Sequence, residues 1–320
     1  MSPTLRMAVL LGTVVCGVWA VGQAPVSQPA AVLPDLGVGA SLHGRRIFPA
    51  DNPWNKDISA EAVDPNSAKI VASIGLEKSL HPDFGTPYGI PYVVVSGTQP
   101  KVPIVFRSYG GESDPGPYPI PLDAPIEGGA NAPGDRHVLV LDRDNWKLYE
   151  LFRGFPDLAN KRWGAAGGAI FDLNSNKLRP AGWSSSDAAG LPILPGLVRY
   201  DEIVEQGELT HAVRFTVTRS RRAYVPPATH YAARSNDPTL PPMGMRVRLK
   251  ASYDINGFPQ VAQTILKGLK KYGMIVADNG GDWYVTGAPD PRWNDQEIDT
   301  LKRVHGRDFE VVKMEGLVTR

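Results

Sequence analysis

The chain has 320 residues, 42% hydrophobic and 21% charged, which is enough for a sizeable core in one large domain or two modest ones. With 34 Lys and Arg against 33 Asp and Glu, the net charge is +1, leaving no global field to hold nucleic acid or to draw the chain to an anionic membrane. A single cysteine excludes a disulfide scaffold and a Cys-based zinc site.

In chain order, Arg6 precedes the apolar run "MAVLLGTVVCGVWAVG", Met7 to Gly22, with small residues at Ala20 and Gly22. The run is shorter than the ~20 residues of a spanning helix. It predicts an export signal cleaved near Gly22, hence a secreted or periplasmic protein. Cys16 lies inside this signal, preceded by Val14 and Val15 where a lipoprotein would carry small residues. The mature chain then has no thiol and no membrane span. Residues 23–40 read as a flexible linker and 41–320 as a single β-rich domain.

From there, 33 Gly and 30 Pro punctuate short apolar runs, the pattern of a mainly β fold. "IPYVVVSG", "VPIVFRSYG", "RHVLVLD", "WKLYELF", "GGAIFDL", "HAVRFTVT" and "MGMRVRLKA" are the predicted strands. Two C-terminal helices follow. "PQVAQTILKGLKKYG" puts Val261, Ile265, Leu269 and Tyr272 on one stripe, with Pro259 in its first turn and Gly273 as its C-terminal cap. "NDQEIDTLKRV" offers Asn294 as N-cap and Glu297 three residues on. Between them "MIVADNGGDWYVTG" reads as a hairpin turning at Asn279-Gly280-Gly281. The expected architecture is a β-sandwich or jelly-roll-like domain. Two long Gly/Pro-rich loops, Gly111 to Asp135 and Tyr224 to Gly244, carry Tyr118, Tyr224 and Tyr231 and are expected to be ordered over a sheet face.

No phosphate-binding loop, dinucleotide fingerprint, His-Glu-x-x-His or Gly-x-Ser-x-Gly occurs. No cofactor is implied. "DRDN", Asp142 to Asn145, and "DNGGD", Asp278 to Asp282, echo parts of a structural calcium loop, but turn formation explains both more simply.

The hairpin "RHVLVLDRDNWKLYELF", Arg136 to Phe152, holds the main catalytic candidate. Strand alternation places His137, Leu139 and Leu141 on one face, and Leu148, Glu150 and Phe152 likewise share a face. A charged Glu among apolar neighbours costs several kcal/mol unless paired, so Glu150 is either a buried strut or a general acid in a cleft. In "THAVRFTVT", Arg214 faces away from His211, Val213 and Phe215, beside the small Ala212 and Thr216, leaving room for a carboxylate. Arg246, Arg248 and Lys250 share a strand face that reads as solvated, or as a cationic strip for a uronic-acid glycan.

"AGWSSSDAAGLPILPGLVRYDE", Ala181 to Glu202, concentrates Trp183, three serines, Asp187, Arg199, Tyr200 and Asp201 among Gly and Pro. An aromatic face with short hydrogen-bonding neighbours suits a sugar. The expected function is a carbohydrate-active protein acting on a polysaccharide. As a glycoside hydrolase it would use Glu150 and Asp187 as a carboxylate pair, with Trp183 for stacking and Arg214 for substrate contact. As a uronate lyase it would move the proton with His137 or His211 and Tyr200, with His230 also in a loop amid aromatics and Arg214 meeting the carboxylate. A non-catalytic glycan-binding or cell-envelope protein is the third reading.

The stretches "FPADNPWNKDIS", "HPDFGTPYGIPYVVV", "GDRHVLVLDRDNWKLYELF", "FDLNSNKLRPAGWSSSDAAGLPILPGLVRYDE" and "LKKYGMIVADNGGDWYVTGAPDPRW", taken together, resemble a family of uncharacterised secreted bacterial proteins. The resemblance spans nearly all of the chain after Phe48. It implies one exported domain and brings no activity, cofactor or catalytic residue with it.

Overall fold

The computed structural model describes Met1 and residues 32–319. The predicted signal, its cleavage point and Cys16 lie outside the described residues. So do the linker positions before 32. Among the described residues, no helix is long and apolar enough to cross a membrane.

The predicted β-rich fold with few helices is what forms. Its strands are β1 (Gly37–Val38), β2 (His81–Asp83), β3 (Tyr92–Val95), β4 (Ile104–Phe106), β5 (Val138–Asp142), β6 (Lys147–Phe152), β7 (Phe155–Asp157), β8 (Arg162–Ala165), β9 (Gly167–Asp172), β10 (Val213–Val217), β11 (Arg246–Leu249), β12 (Met274–Asn279), β13 (Tyr284–Thr286) and β14 (Phe309–Val311). They make a five-stranded sheet β1-β3-β5-β6-β9, a six-stranded sheet β14-β11-β12-β10-β13-β2 and a three-stranded sheet β4-β8-β7. Each sheet contains a parallel pair: β3 with β5, β10 with β12 and β13 with β2, and β4 with β8. A jelly roll is antiparallel, so the sheets are mixed where that topology would not be. β1 pairs with β3 through Gly37 and Val38, so part of the stretch read as flexible linker is a strand.

The predicted β5–β6 hairpin forms, with Leu139 opposite Glu150 and Leu141 opposite Leu148. Both its faces are covered. Leu139, Leu141 and Leu148 join the large core that the six-stranded sheet also fills, with Val213, Phe215 and Val247. Val138, Val140, Tyr149 and Leu151 face a second core with Trp163 and Ala165 of the small sheet. Two-sided burial explains why these strands read as nearly continuous apolar runs.

The predicted hairpin at 274–287 does not form. β10 lies between β12 and β13, parallel to the first and antiparallel to the second. The Asn279–Gly281 stretch steps over the end of β10 instead, with Gly280 N–H donating to Val217 O at 2.9 Å. A local turn signal cannot reveal a strand inserted from 60 residues upstream, roughly, because that pairing is set by the core and not by the turn.

Among the described residues there are three α-helices: α1 (Ser67–Ile74), α2 (Gln260–Lys271) and α3 (Asp295–Asp299). α2 buries Ala262, Ile265, Leu266 and Leu269 and ends at Tyr272, followed by Gly273 at φ +68°. A Cβ on Gly273 would lie 2.1 Å from Val247 O, so the C-terminal cap requires glycine for space as well as for φ. Asn294 caps α3 through Gln296 N–H. α1 was not expected; its eight residues hold too few turns to show a period, though Ile70, Val71 and Ile74 are buried.

Candidate active site

The Ala181–Gly190 segment is held from several sides. Arg179 donates through Nε to Ser184 O at 2.8 Å and through Nη2 to Glu112 O at 2.7 Å. Ser185 Oγ donates to Leu191 O at 2.6 Å. Gly190 sits at φ +74°, where a Cβ would be 2.1 Å from Thr229 Oγ1 and 2.6 Å from Trp183 O, so only glycine closes this turn.

Beneath the segment lies a buried polar layer. Arg214 grips Asp187 with both arms of its guanidinium, Nε to Oδ2 at 3.1 Å and Nη2 to Oδ1 at 2.8 Å, while Nη1 donates to Thr286 Oγ1 at 2.6 Å. His137, 4% exposed, faces an oxygen acceptor from each ring nitrogen, Glu127 Oε2 at 2.7 Å and Ser186 O at 2.9 Å. Serving both acceptors requires two N–H groups, hence an imidazolium. Burial opposes that charge, but the hydrogen bond and attraction of Glu127 prevail and raise its pKa to about 9. Glu150, 0% exposed, accepts from Ile193 N–H at 2.8 Å and Leu194 N–H at 3.2 Å through Oε1, and its Oε2 has no partner among the described residues. Burial, with the Asp187 charge adding to it, pushes Glu150 up to about 7 against the pull of the two N–H groups.

Above this layer opens a cleft of about 330 Å³, lined among others by Tyr109, Glu112, Phe152, Ser184, His230 and Asp278. Asp278 closes β12, and the β10–β12 register slips between Phe215 and Thr216, so that Thr216 faces Asp278 and not Ala277. That bulge turns Asp278 toward the side that Arg214 and Asp187 occupy, the re-aiming that bulges near active sites perform. Burial, then repulsion from Asp187, raises its pKa to about 7, with Arg214 offsetting part of the rise. Glu112 behaves oppositely. Burial would raise it, but Ser184 donates from Oγ at 2.7 Å and from N–H at 3.1 Å to Oε2 and holds it below the usual carboxylate range. Tyr109 and Phe152 stand 6.3 Å apart, tilted by 44°. His230 donates from Nδ1 to Ala188 O at 2.8 Å, leaving Nε2 as its other polar edge.

The residues expected to carry chemistry fall in different places around the cleft. Glu150, Asp187, His137 and Arg214 do come together; Glu150, His137 and Arg214 lie beneath the cleft, and Asp187, itself buried, reaches its wall. Glu150 does not line the cleft, and Asp187 and Arg214 satisfy one another. Trp183 flanks the cleft without lining it and has Arg179 5.6 Å above its ring. Tyr200 stacks edge-on with Trp293 at 5.0 Å beneath Arg292, away from the cleft. His211 belongs to a separate cluster, with Nε2 3.0 Å from Glu202 Oε2. Only His230 remains as a cleft residue among the predicted substrate contacts. Asp278 and Glu112 were passed over because one lay in a turn motif and the other in a loop; the bulge that aims Asp278 leaves no mark in sequence.

Neither reading of the β11 cations survives. Arg246 donates to Tyr272 O, Pro53 O and Lys56 O, and Arg248 to Glu310 and Ile58 O, so both are internal ties and present no strip for an acidic polymer. The first calcium-like motif is a hairpin turn, where Asp142 accepts from Asp144 and Asn145 N–H; in the second, Asp278 and Asn279 end β12 and Asp282 accepts from Thr218 N–H. Among the described residues, no group of three His, Cys, Asp or Glu side chains is arranged to hold a metal ion.

Compared with known protein families, curated proteins and solved structures, the chain matches none.

Proposed function

We propose that the cleft is the active site of a glycoside hydrolase acting on neutral glycans, in a chain exported by its N-terminal signal. One observation carries this reading: a single cleft holds two carboxyl groups whose environments drive their pKa values apart, Asp278 upward and Glu112 downward. Asp278, protonated near neutrality, donates its proton to the glycosidic oxygen as the bond breaks. Glu112 supplies the ionised partner that a two-carboxylate mechanism needs, through the oxygen that Ser184 does not bind. Tyr109 and Phe152 offer apolar faces to a sugar ring, and His230 Nε2 and Asn279 meet hydroxyls.

The substrate is neutral because no Arg or Lys lines the cleft among the described residues, whereas Glu112, Asp135, Asp187 and Asp278 do. Arg214, which a uronate lyase would need free, is committed to Asp187. The test is incubation of the purified protein with neutral and acidic polysaccharides. Reducing ends released from a neutral glycan, and lost in D278N and E112Q, support the hydrolase. Unsaturated products absorbing in the ultraviolet would mean a lyase, and retention without products a binding module; either result overturns the proposal.

A further inference from the structure

A second polar centre shares no residue with the cleft. Val198 and Arg199 lead into a π-helical turn, Asp201–Glu205. Arg199 donates through Nε to Asp201 Oδ1 at 3.2 Å and through Nη2 to Glu202 Oε2 at 2.8 Å, and Glu202 also faces His211 Nε2. Asp201 is further held by Leu42 N–H at 2.8 Å. Arg199 is 4% exposed, yet its Nη1 has no partner among the described residues. Nη1 is sealed from solvent, so Arg199 offers the pocket wall its positive charge and no free N–H.

Arg199 lines a pocket of about 170 Å³ together with Arg45, Arg46, Trp54, Thr210 and His211. Arg45 lies over Trp146, 3.5 Å from the ring centroid. The stack fixes its plane and leaves its N–H edge for hydrogen bonding. Among the described residues, neither Arg45 nor Arg46 has a carboxylate in ion-pair range, whereas Arg199 in the same lining is paired with Asp201 and Glu202. Of the two acids in the lining, Glu202 is already shared between Arg199 and His211, and Glu208 is exposed to solvent. Arg46 is likewise exposed and Arg45 half-buried, so the charged groups in the lining without a protein ion partner are two cations and the solvated Glu208.

We propose that this pocket binds a small molecule carrying an oxyanion, a carboxylate or a phosphate, received by the guanidinium groups of Arg45 and Arg46 beside the buried charge of Arg199. The site is independent of the hydrolytic reading, since it uses none of the cleft residues. Its volume suits one small molecule and not a polymer. A phosphate ester and an acid sugar present the same chemistry to these two guanidinium groups.

Titration calorimetry on the purified protein at low ionic strength tests the proposal, with inorganic phosphate, glucuronate and glucose as separate probes. The expected result is that phosphate or glucuronate binds with a Kd of about 1 mM or tighter and that glucose does not. Which oxyanion binds more tightly identifies the source. R46A should weaken binding roughly 10-fold, and R45K, which keeps the charge and loses the planar stack, several-fold. Circular dichroism checks that each variant is folded, and the conservative R45K keeps the test available should an alanine variant fail. No binding of either oxyanion by the unaltered protein up to about 10 mM, or unchanged affinity in R45A/R46A, overturns the proposal.

Discussion

Glu150 and Asp278 are two carboxyl groups pushed to the same range by burial, and their positions give them different consequences. Glu150 has one oxygen satisfied by two backbone N–H groups and the other sealed without a partner. Its folded pKa of about 7 lies above the unfolded value of ~4.3, so the folded state holds a proton that the unfolded state releases between those limits. Stability from this residue is therefore present at low pH and lost as pH rises, by roughly 3 kcal/mol in all. E150Q should flatten that loss. It should match the unaltered protein near pH 4.5 in urea denaturation and exceed it by roughly 2–3 kcal/mol near pH 8. Asp278 faces the cleft, and there the same shift sets activity. Hydrolysis should fall as pH rises through about 7, where Asp278 gives up the proton it must donate. D278N should lower kcat by 100-fold or more, on the order expected for a lost general acid, with little change in the denaturation midpoint near pH 4 and a higher midpoint near pH 8, where the ionised Asp278 is destabilising.

At the scale of elements, the candidate site depends on a segment without regular structure. His137 and Arg179 tie Ser186 and Ser184 by their carbonyls, and Gly190 closes the turn behind them. G190A should cost about 2 kcal/mol or more from its left-handed backbone and the close approach of Thr229, and it should reduce kcat by displacing Ser184 from Glu112. Thermal denaturation and kinetics on the same preparation check both effects. H137A should cost about 3–5 kcal/mol in urea denaturation, because it leaves Glu127 half-buried without its cation. How legible an element was in the sequence follows its range. The β5–β6 hairpin was readable because its pairing is local and its alternation strict. The 274–287 hairpin was misread because β10 takes the place that a turn signal assigns to β13. Helix α2 showed its period over twelve residues, and α1 had too few to show one.

Across the whole molecule, the buried polar groups set a common direction for pH dependence. Glu150, Asp278 and His137 all bind protons more tightly when folded. His137 contributes in full below ~6.5 and loses its contribution as pH rises through about 9. Glu112, Glu127 and Glu202 are shifted the other way, so their contribution is present above ~4.3 and lost in more acid solution. Stability should therefore peak near pH 5 and decline toward pH 9, which a series of urea midpoints across that range will show. A maximum near pH 8 would contradict the assignment of Glu150 and His137 as proton-holding groups.

By itself, the sequence determined the β-rich class, the central hairpin and the faces of its two arms, the helix at 260–271 and the segment around Asp187 that borders the candidate site. These rest on nearest-neighbour chemistry: alternation, caps, and the turn propensities of Gly, Pro and Asn. Only the tertiary structure decided which carboxyl groups meet solvent. Strand parity put Glu150 beside Leu148 but could not say that Ile193 and Leu194 would cover it, nor that a one-residue bulge would bring Asp278 into the cleft. Burial and charge partners are properties of chains that meet in space. A carboxyl group's role follows from those partners, and nothing in its own stretch of sequence records them.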